Sequence, residues 1–248
     1  MVAAWPVGVD RVVLAETDST SLEAARRAPA RPTWIMAERQ TAARGRRGRS
    51  WAMPPGNFAA SLVWRPSGDA ASHALRSFAA SLALHDALTG MGVAGLSLKW
   101  PNDVLLDDGK LAGILLESPA PGLLILGIGI NLIAAPDTAA LEPGAVAPIS
   151  LLSATGLRVT PQAMLDALAP AFATREAQLS THGFAPIRTD WLRHAARMGE
   201  TITARTMTDT HTGTFDDVDA TGQLVLGTAT GPRHIPAADI FFGGPQCS

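Results

Sequence analysis

The chain has 248 residues, of which 47% are hydrophobic, and its formal net charge is −2 at pH 7. This length allows one large domain, or one large and one small, and the hydrophobic fraction suffices for a sizeable core. A near-neutral charge excludes a whole-surface affinity for nucleic acid or anionic membranes, so any anion site must be a local cluster.

The single cysteine, Cys247, cannot form an intrachain disulfide, so the fold needs no oxidising compartment. The N-terminal residues lack the basic start and apolar core of a secretory signal. The most apolar run, 123–135, is shorter than the roughly 20 residues that cross a bilayer. The sequence therefore predicts a cytoplasmic protein.

Hydrophobic periodicity predicts a mixed α/β arrangement over residues 1–197. A capping box in which Glu23 serves Thr17-Asp18-Ser19-Thr20 is expected to start the first helix, which runs to about Arg27. Further helices are predicted at 72–91, 161–181 and 186–196, and strands at 11–15, 33–38, 57–64, 96–100, 103–106, 110–117 and 123–132.

The character of the chain changes after Gly199, where Thr, Val, Asp and Gly dominate. Alternating patterns at 201–207, 213–218 and 223–226 indicate a small β barrel. We therefore predict two domains, 1–197 and 198–248.

The loop at 39–56 contains four arginines within six positions: Arg44, Arg46, Arg47 and Arg49. Guanidinium groups bind phosphate oxygens through two donors, and the neighbouring Trp51 offers a flat face to a purine. A solvated basic loop or a nucleic-acid patch explains the same run. Because no acidic residue lies between the arginines, we expect residues 43–50 to be mobile until an anion binds and closes the loop.

Lys110 follows Asp107-Asp108-Gly109, a strong signal for a tight hairpin turn. At the start of an apolar strand, its compact charge could point into a pocket between core strands, although a solvent-facing turn lysine has the same spacing. Downstream, Gly127 and Gly129 on one strand face leave bare backbone on which a flat ring could lie, or simply mark a bulge or close packing. Asn131 in this apolar run needs hydrogen-bond partners.

Five segments, in this order, closely resemble the biotin protein ligase family. They are Thr17-Asp18-Ser19-Thr20, Arg44–Trp51, Lys99-Trp100-Pro101-Asn102-Asp103, Lys110–Leu115 and Gly127–Asn131. The resemblance is strong over 1–197 and loose over 198–248, which corresponds to the family's SH3-like C-terminal domain. It implies a mixed sheet flanked by helices, related to class II aminoacyl-tRNA synthetases, and a small β barrel.

The resemblance also implies the chemistry and the residues that perform it. Biotin and ATP form biotinyl-5′-AMP, and a lysine of a biotin carboxyl carrier protein, such as that of acetyl-CoA carboxylase, then displaces AMP. Lys110 and Arg46 are the implied catalytic residues. Biotin is expected to contact Ser19, Thr20, Gln40, Arg44, Lys110, Gly113, Gly127 and Gly129. ATP or the adenylate is expected to contact Arg46, Arg47, Arg49, Trp51 and Asn131. ATP use implies Mg²⁺, for which Asp103 is the one candidate ligand, and a homodimer is left open.

Two positions depart from the family pattern, in which Asn stands at Ser21 and Gly at Ala43. Neither departure removes a charge, so we expect activity with modestly altered affinity. The alternatives are a lipoate protein ligase, a DNA-binding repressor and a biotin-binding regulator without ligase activity. The Arg-Arg-x-Ser-Gly-Gly-Gly segment of lipoate ligases is absent, the motifs begin too early for an N-terminal DNA-binding domain, and Lys110 and the arginines argue against an inactive protein.

Overall fold

The computed structural model describes residues 4–49, 51–137, 141 and 144–242. Seven strands form one sheet in the order β1-β2-β3-β7-β6-β5-β4, in which only β1 and β2 pair in parallel. The strands are β1 (Asp10–Thr17), β2 (Thr33–Gln40), β3 (Phe58–Trp64), β4 (Leu96–Lys99), β5 (Asp103–Leu106), β6 (Gly109–Ala120) and β7 (Leu123–Ile130). The predicted mixed sheet is confirmed.

Helices cover both faces of this sheet because its central strands are apolar on both sides. They are α1 (Thr20–Arg27), α2 (Ala70–Ala74), α3 (Arg76–Gly90), α4 (Leu151–Thr155), α5 (Pro161–His182) and α6 (Phe184–Arg193). On one face, Ile35, Val63 and Ile125 pack with Ala24 of α1. The residues that alternate with them face the main core, to which α3, α5 and α6 contribute.

The C-terminal part is a five-stranded antiparallel sheet with the order β11-β10-β9-β8-β12. Its strands are β8 (Thr201–Arg205), β9 (Thr210–Val218), β10 (Leu224–Thr228), β11 (Gly231–Ile235) and β12 (Asp239–Phe242). Trp100 Nε1 donates to the Gly222 carbonyl at 3.1 Å, and Arg188 of α6 pairs with Asp217 of β9. These contacts join the C-terminal sheet to the rest of the chain. The all-β C-terminal part is confirmed, and the boundary between 197 and 198 stays a prediction.

Two local predictions differ from the structure, and three short elements had not been predicted. Ser19 is the N-cap of α1, so Glu23 lies one residue too far for a capping box and instead binds Arg26 and Arg27. The helix predicted at 72–91 is two helices, because the chain tightens where the Leu75 carbonyl accepts the Phe78 N–H. Pattern reading also missed α4, β11 and β12, which have at most five residues each.

Among the described residues, no helix is long and apolar enough to cross a bilayer. Cys247 and Ser50 of the basic loop lie outside the described residues.

Candidate active site

A cleft of about 650 Å³ lies between strands β5–β7, the start of α1, the basic loop and strand β12. It gathers most of the residues that the sequence singled out. The predicted residues that line it are Ser19, Thr20, Gln40, Arg44, Arg46, Arg49, Trp51, Asp103, Lys110, Gly113, Gly127 and Gly129. Arg47 and Asn131 were also predicted but do not line this cleft.

Lys110 enters the cleft from the predicted hairpin. Asp107 and Asp108 adopt the positive φ angles of such a turn, 46° and 63°. The turn places Lys110 beside β5, and its ammonium lies 2.7 Å from Asp103 Oδ1. Lys99 lies 3.8 Å from the other carboxylate oxygen. The only two lysines of the chain therefore share one carboxylate.

Asp103 is buried, and burial alone would raise the pKa of its carboxyl group. Lys110 and Lys99 outweigh that effect and hold the pKa below its ordinary value. Burial lowers the pKa of Lys99, and Asp103 opposes that shift. Because two ammonium groups face one carboxylate, this part of the cleft carries a net positive charge that favours an incoming anion.

The basic loop directs Arg46 into the same region. Its Nη1 donates to Asn102 Oδ1 at 3.1 Å, and Asn102 Nδ2 donates to the Ile114 carbonyl at 2.6 Å. Burial lowers the pKa of Arg46, while Asp239 and Asp103 oppose the shift, and a guanidinium stays charged at neutral pH. Asn102, to which the sequence assigns no role, thus orients the arginine.

Two arginines of the loop bind a carboxylate of the protein itself. Arg47 Nη1 lies 2.8 Å and Arg49 Nη2 lies 2.5 Å from Asp239 Oδ2. Asp239 is in strand β12 and lines the cleft, and its side chain is only 15% exposed. Sequence reasoning missed Asp239, because neither a motif nor a local pattern marks it.

Gly113 and Gly129 form a backbone surface on which the Trp51 indole lies. A Cβ at Gly129 would be 2.7 Å from Trp51 Cε2 and Nε1, and one at Gly113 would be 3.2 Å from Cζ3. Side chains at these positions would therefore displace the ring. Gly127 lies further along β7, where a Cβ would be 2.7 Å from Ser21 Oγ. Trp51 and Ser21 thus pack closely against these glycines, and the predicted floor for a ligand ring stays a prediction.

Hydroxyl groups at the start of α1 form a buried cluster. Ser61 Oγ of β3 lies 2.8 Å from Thr20 Oγ1 and 3.1 Å from Ser21 Oγ. The Thr20 N–H donates to Gln40 Oε1 at 2.7 Å. Ser61, which sequence reasoning did not single out, lies in an alanine-rich strand directly opposite Gly127 and orients the hydroxyls of α1.

Asn131 is buried and does not line the cleft. Its Nδ2 donates to the Lys110 carbonyl at 3.3 Å, and its N–H donates to the Leu111 carbonyl at 2.9 Å. Asn131 therefore holds the backbone that carries Lys110.

Within the described ranges, His, Cys, Asp and Glu form no group of three that could hold a metal ion. The predicted candidate ligand, Asp103, faces Lys110 and Lys99 instead. A carboxylate already neutralised by two cations is a poor magnesium ligand. The protein residues of this cleft thus do not fit a resident metal site.

Comparison with known protein families and curated proteins gives consistent matches. Residues 13–131 match the model of the biotin/lipoate A/B protein ligase family, and residues 198–243 match that of the biotin protein ligase C-terminal domain. The chain is 53% identical to a biotin–[acetyl-CoA-carboxylase] ligase of Paracoccus denitrificans over 94% of its own length and all of that protein. It is 32% identical to the bifunctional ligase/repressor BirA of Bacillus subtilis, covering 93% of the chain and 72% of that protein.

Among solved structures, a biotin protein ligase of Aquifex aeolicus in complex with biotin and ATP aligns with a TM-score of 0.81. The alignment covers 93% of this chain and 97% of that one at 24% identity. At this identity the likeness shows the shared fold.

Proposed function

The chain belongs to the biotin protein ligase family, and we infer from this premise that its cleft activates biotin with ATP and transfers it to a lysine of a carrier protein. In the first step a biotin carboxylate oxygen attacks the α-phosphorus of ATP, and the bond to pyrophosphate breaks. In the second, the neutral amine of the acceptor lysine attacks the carbonyl carbon of biotinyl-5′-AMP, AMP leaves, and the amine loses a proton.

The convergence of Lys110, Arg44 and Arg46 on one cleft is the observation that carries this proposal. The first step brings a carboxylate against a polyphosphate, and their repulsion must be offset by fixed positive charge in a site of restricted water access. Lys110, already oriented by Asp103, exchanges that partner for the biotin carboxylate and then holds the phosphoryl oxygens of the adenylate. Arg46, oriented by Asn102, binds the phosphates.

The polar head of biotin fits the opposite end of the cleft, near α1. Ser19, Thr20 and Gln40 offer hydroxyl and amide groups there, and the backbone near Arg44 and Gly113 adds donors and acceptors. Gly127 and Gly129 leave room for the fused rings once the Trp51 indole moves aside to meet the adenine. In this assignment Arg47 and Arg49 keep their ion pairs with Asp239 and offer their remaining guanidinium donors to the phosphates. Asn131 acts through the backbone of Lys110.

Magnesium enters this scheme as part of the substrate MgATP, with phosphate oxygens as its ligands. The acceptor is a biotin carboxyl carrier protein, and we propose that of acetyl-CoA carboxylase because the Paracoccus relative is named for it. The cytoplasmic location and the two-domain division stay predictions.

The test is incubation with biotin, MgATP and a carrier domain, followed by intact-mass measurement of the carrier. With the wild-type enzyme, we expect the mass of the carrier domain to increase by that of one biotinyl group. Lys110→Ala should lower adenylate formation by several orders of magnitude, because the central cation is removed. Near-normal turnover of this variant would reject the role of Lys110.

Arg65→Ala is a suitable control, since this cation binds the Pro29 carbonyl away from the cleft. It should retain wild-type activity. Because the matching family model includes both biotin and lipoate ligases, a parallel assay with lipoate in place of biotin distinguishes these two activities. Lipoate transfer at the rate of biotin would contradict the substrate assignment.

A further inference from the structure

The C-terminal sheet contributes a charged residue to the cleft through Asp239. Ala238, directly before β12, and Ile240 within it are both buried. Because side chains alternate along a strand, the intervening Asp239 points outward, and here that direction is the cleft. Trp100–Gly222 and Arg188–Asp217 contacts hold the sheet in place, so the position of this carboxylate is set by the fold.

The four arginines of the basic loop divide into two pairs. Arg44 and Arg46 line the cleft, and Asn102 accepts a hydrogen bond from Arg46. Arg47 and Arg49 both bind Asp239 Oδ2. Sequence reasoning expected mutual repulsion to keep the free loop mobile; the carboxylate of β12 supplies the missing countercharge.

We propose that Asp239 is a positioning residue that holds the basic loop over the cleft through Arg47 and Arg49. The catalytic consequence of this inference, retention of the adenylate, rests on the proposed function. Its structural consequence, the position of the loop, does not. A loop held at two points leaves Arg44 and Arg46 aimed at the ligand and restricts the escape of a bound adenylate to water. The C-terminal sheet thereby takes part in retaining the intermediate.

Limited trypsin digestion of the ligand-free protein tests the structural part, because trypsin cuts after arginine. Cleavage sites within 44–49, mapped by mass spectrometry, should be cut about tenfold faster in Asp239→Asn, since hydrogen bonds to a charged group are lost. Asp239→Glu should restore slow cleavage. An unchanged thermal midpoint would show that the variant remains folded.

Asp217→Asn is the matched control. It removes the ion pair that joins the C-terminal sheet to α6, but its carboxylate does not line the cleft. Loop cleavage in this variant should stay within about twofold of wild type, because the pair is partly exposed. Equal acceleration in both variants would mean that general loosening of the sheet, and not the contact of Asp239, exposes the loop.

The catalytic part is read from AMP production without a carrier domain, with biotin and MgATP present. Asp239→Asn should raise this carrier-independent AMP production, and it should lower the amount of biotin transferred per ATP consumed when the carrier is present. The proposal would be overturned if trypsin cut the loop of Asp239→Asn at the wild-type rate. It would also be overturned if cleavage were faster but carrier-independent AMP production were unchanged. If wild-type protein forms no adenylate, the proposed function fails, and the digestion alone then decides whether Asp239 holds the loop.

Discussion

Replacing Gly129 by alanine tests whether the bare backbone of β7 and the Trp51 indole act as one surface. The added Cβ would lie 2.7 Å from Trp51 Cε2 and Nε1 and 3.0 Å from Cζ2. Because favourable carbon contacts lie at about 3.5–4.0 Å, the indole must retreat by roughly 1 Å. The backbone N–H of Trp51 donates to the Ala43 carbonyl at 3.0 Å, so a shift of this residue strains the end of the basic loop.

The expected cost in stability is modest. Overpacking costs about 1–3 kcal/mol, while alanine in place of glycine regains about 0.4–1 kcal/mol by restricting the unfolded chain. The net destabilisation should therefore be about 1–2 kcal/mol, measured by urea unfolding. The loss of activity should exceed what this loss of stability would cause, because Trp51 is assigned to the adenine of ATP and Gly129 to the rings of biotin. We expect kcat/KM for both biotin and ATP to fall at least about tenfold.

Two variants serve as controls in a pyrophosphate-release assay. Gly127→Ala meets Ser21 Oγ rather than Trp51, so it should raise the KM for biotin and leave that for ATP unchanged. Gly90→Ala, at the end of α3, meets nothing within 4 Å and should be neutral or slightly stabilising. Wild-type kinetics in Gly129→Ala with both substrates would refute the assignment of this surface.

Two further predictions concern charged residues. Asp103→Asn leaves Lys110 and Lys99 without their carboxylate, so it should destabilise the protein by about 3 kcal/mol in urea unfolding; a change below about 1 kcal/mol would show that this pair is not needed for folding. Asp219 is partly buried, which raises its pKa, but hydrogen bonds from Thr221, His234 and the Gln223 N–H outweigh this and lower the pKa to about 2. A lowered folded-state pKa adds stability above the unfolded value of 3.8 that is lost as the pH falls through about 2. Asp219→Asn should therefore cost about 1–2 kcal/mol at pH 7 and progressively less between pH 4 and pH 2, and a cost independent of pH would contradict this reasoning.

The sequence could predict those parts of the site in which a turn or a strand a few residues long determines where a side chain lies. Asp107-Asp108-Gly109 dictates a tight hairpin, and a hairpin necessarily brings Lys110 near the strand that contains Asp103. Gly127 and Gly129 share a strand face because side chains alternate. These relations span a few residues and survive small errors in element bounds.

The contacts of Asp239 could not be found in this way. It lies 192 residues from Arg47, in a four-residue strand whose existence depends on pairing with β8. Whether Asp239 contacts Arg47 depends on how the C-terminal sheet packs on the rest of the chain, and no short sequence pattern encodes that packing. For the same reason the sequence assigned Arg47 and Arg49 to phosphates alone and overlooked a competing carboxylate.

The kinds of cation in the cleft are compatible with the acyl adenylate of the proposed function. This intermediate acylates neutral amines, so every amine near it is a competing nucleophile, whereas a guanidinium stays protonated and inert at neutral pH. The chain places arginines in the loop that covers the cleft and both of its lysines against Asp103. The loop over the cleft therefore adds positive charge without adding an amine that could compete with the carrier lysine.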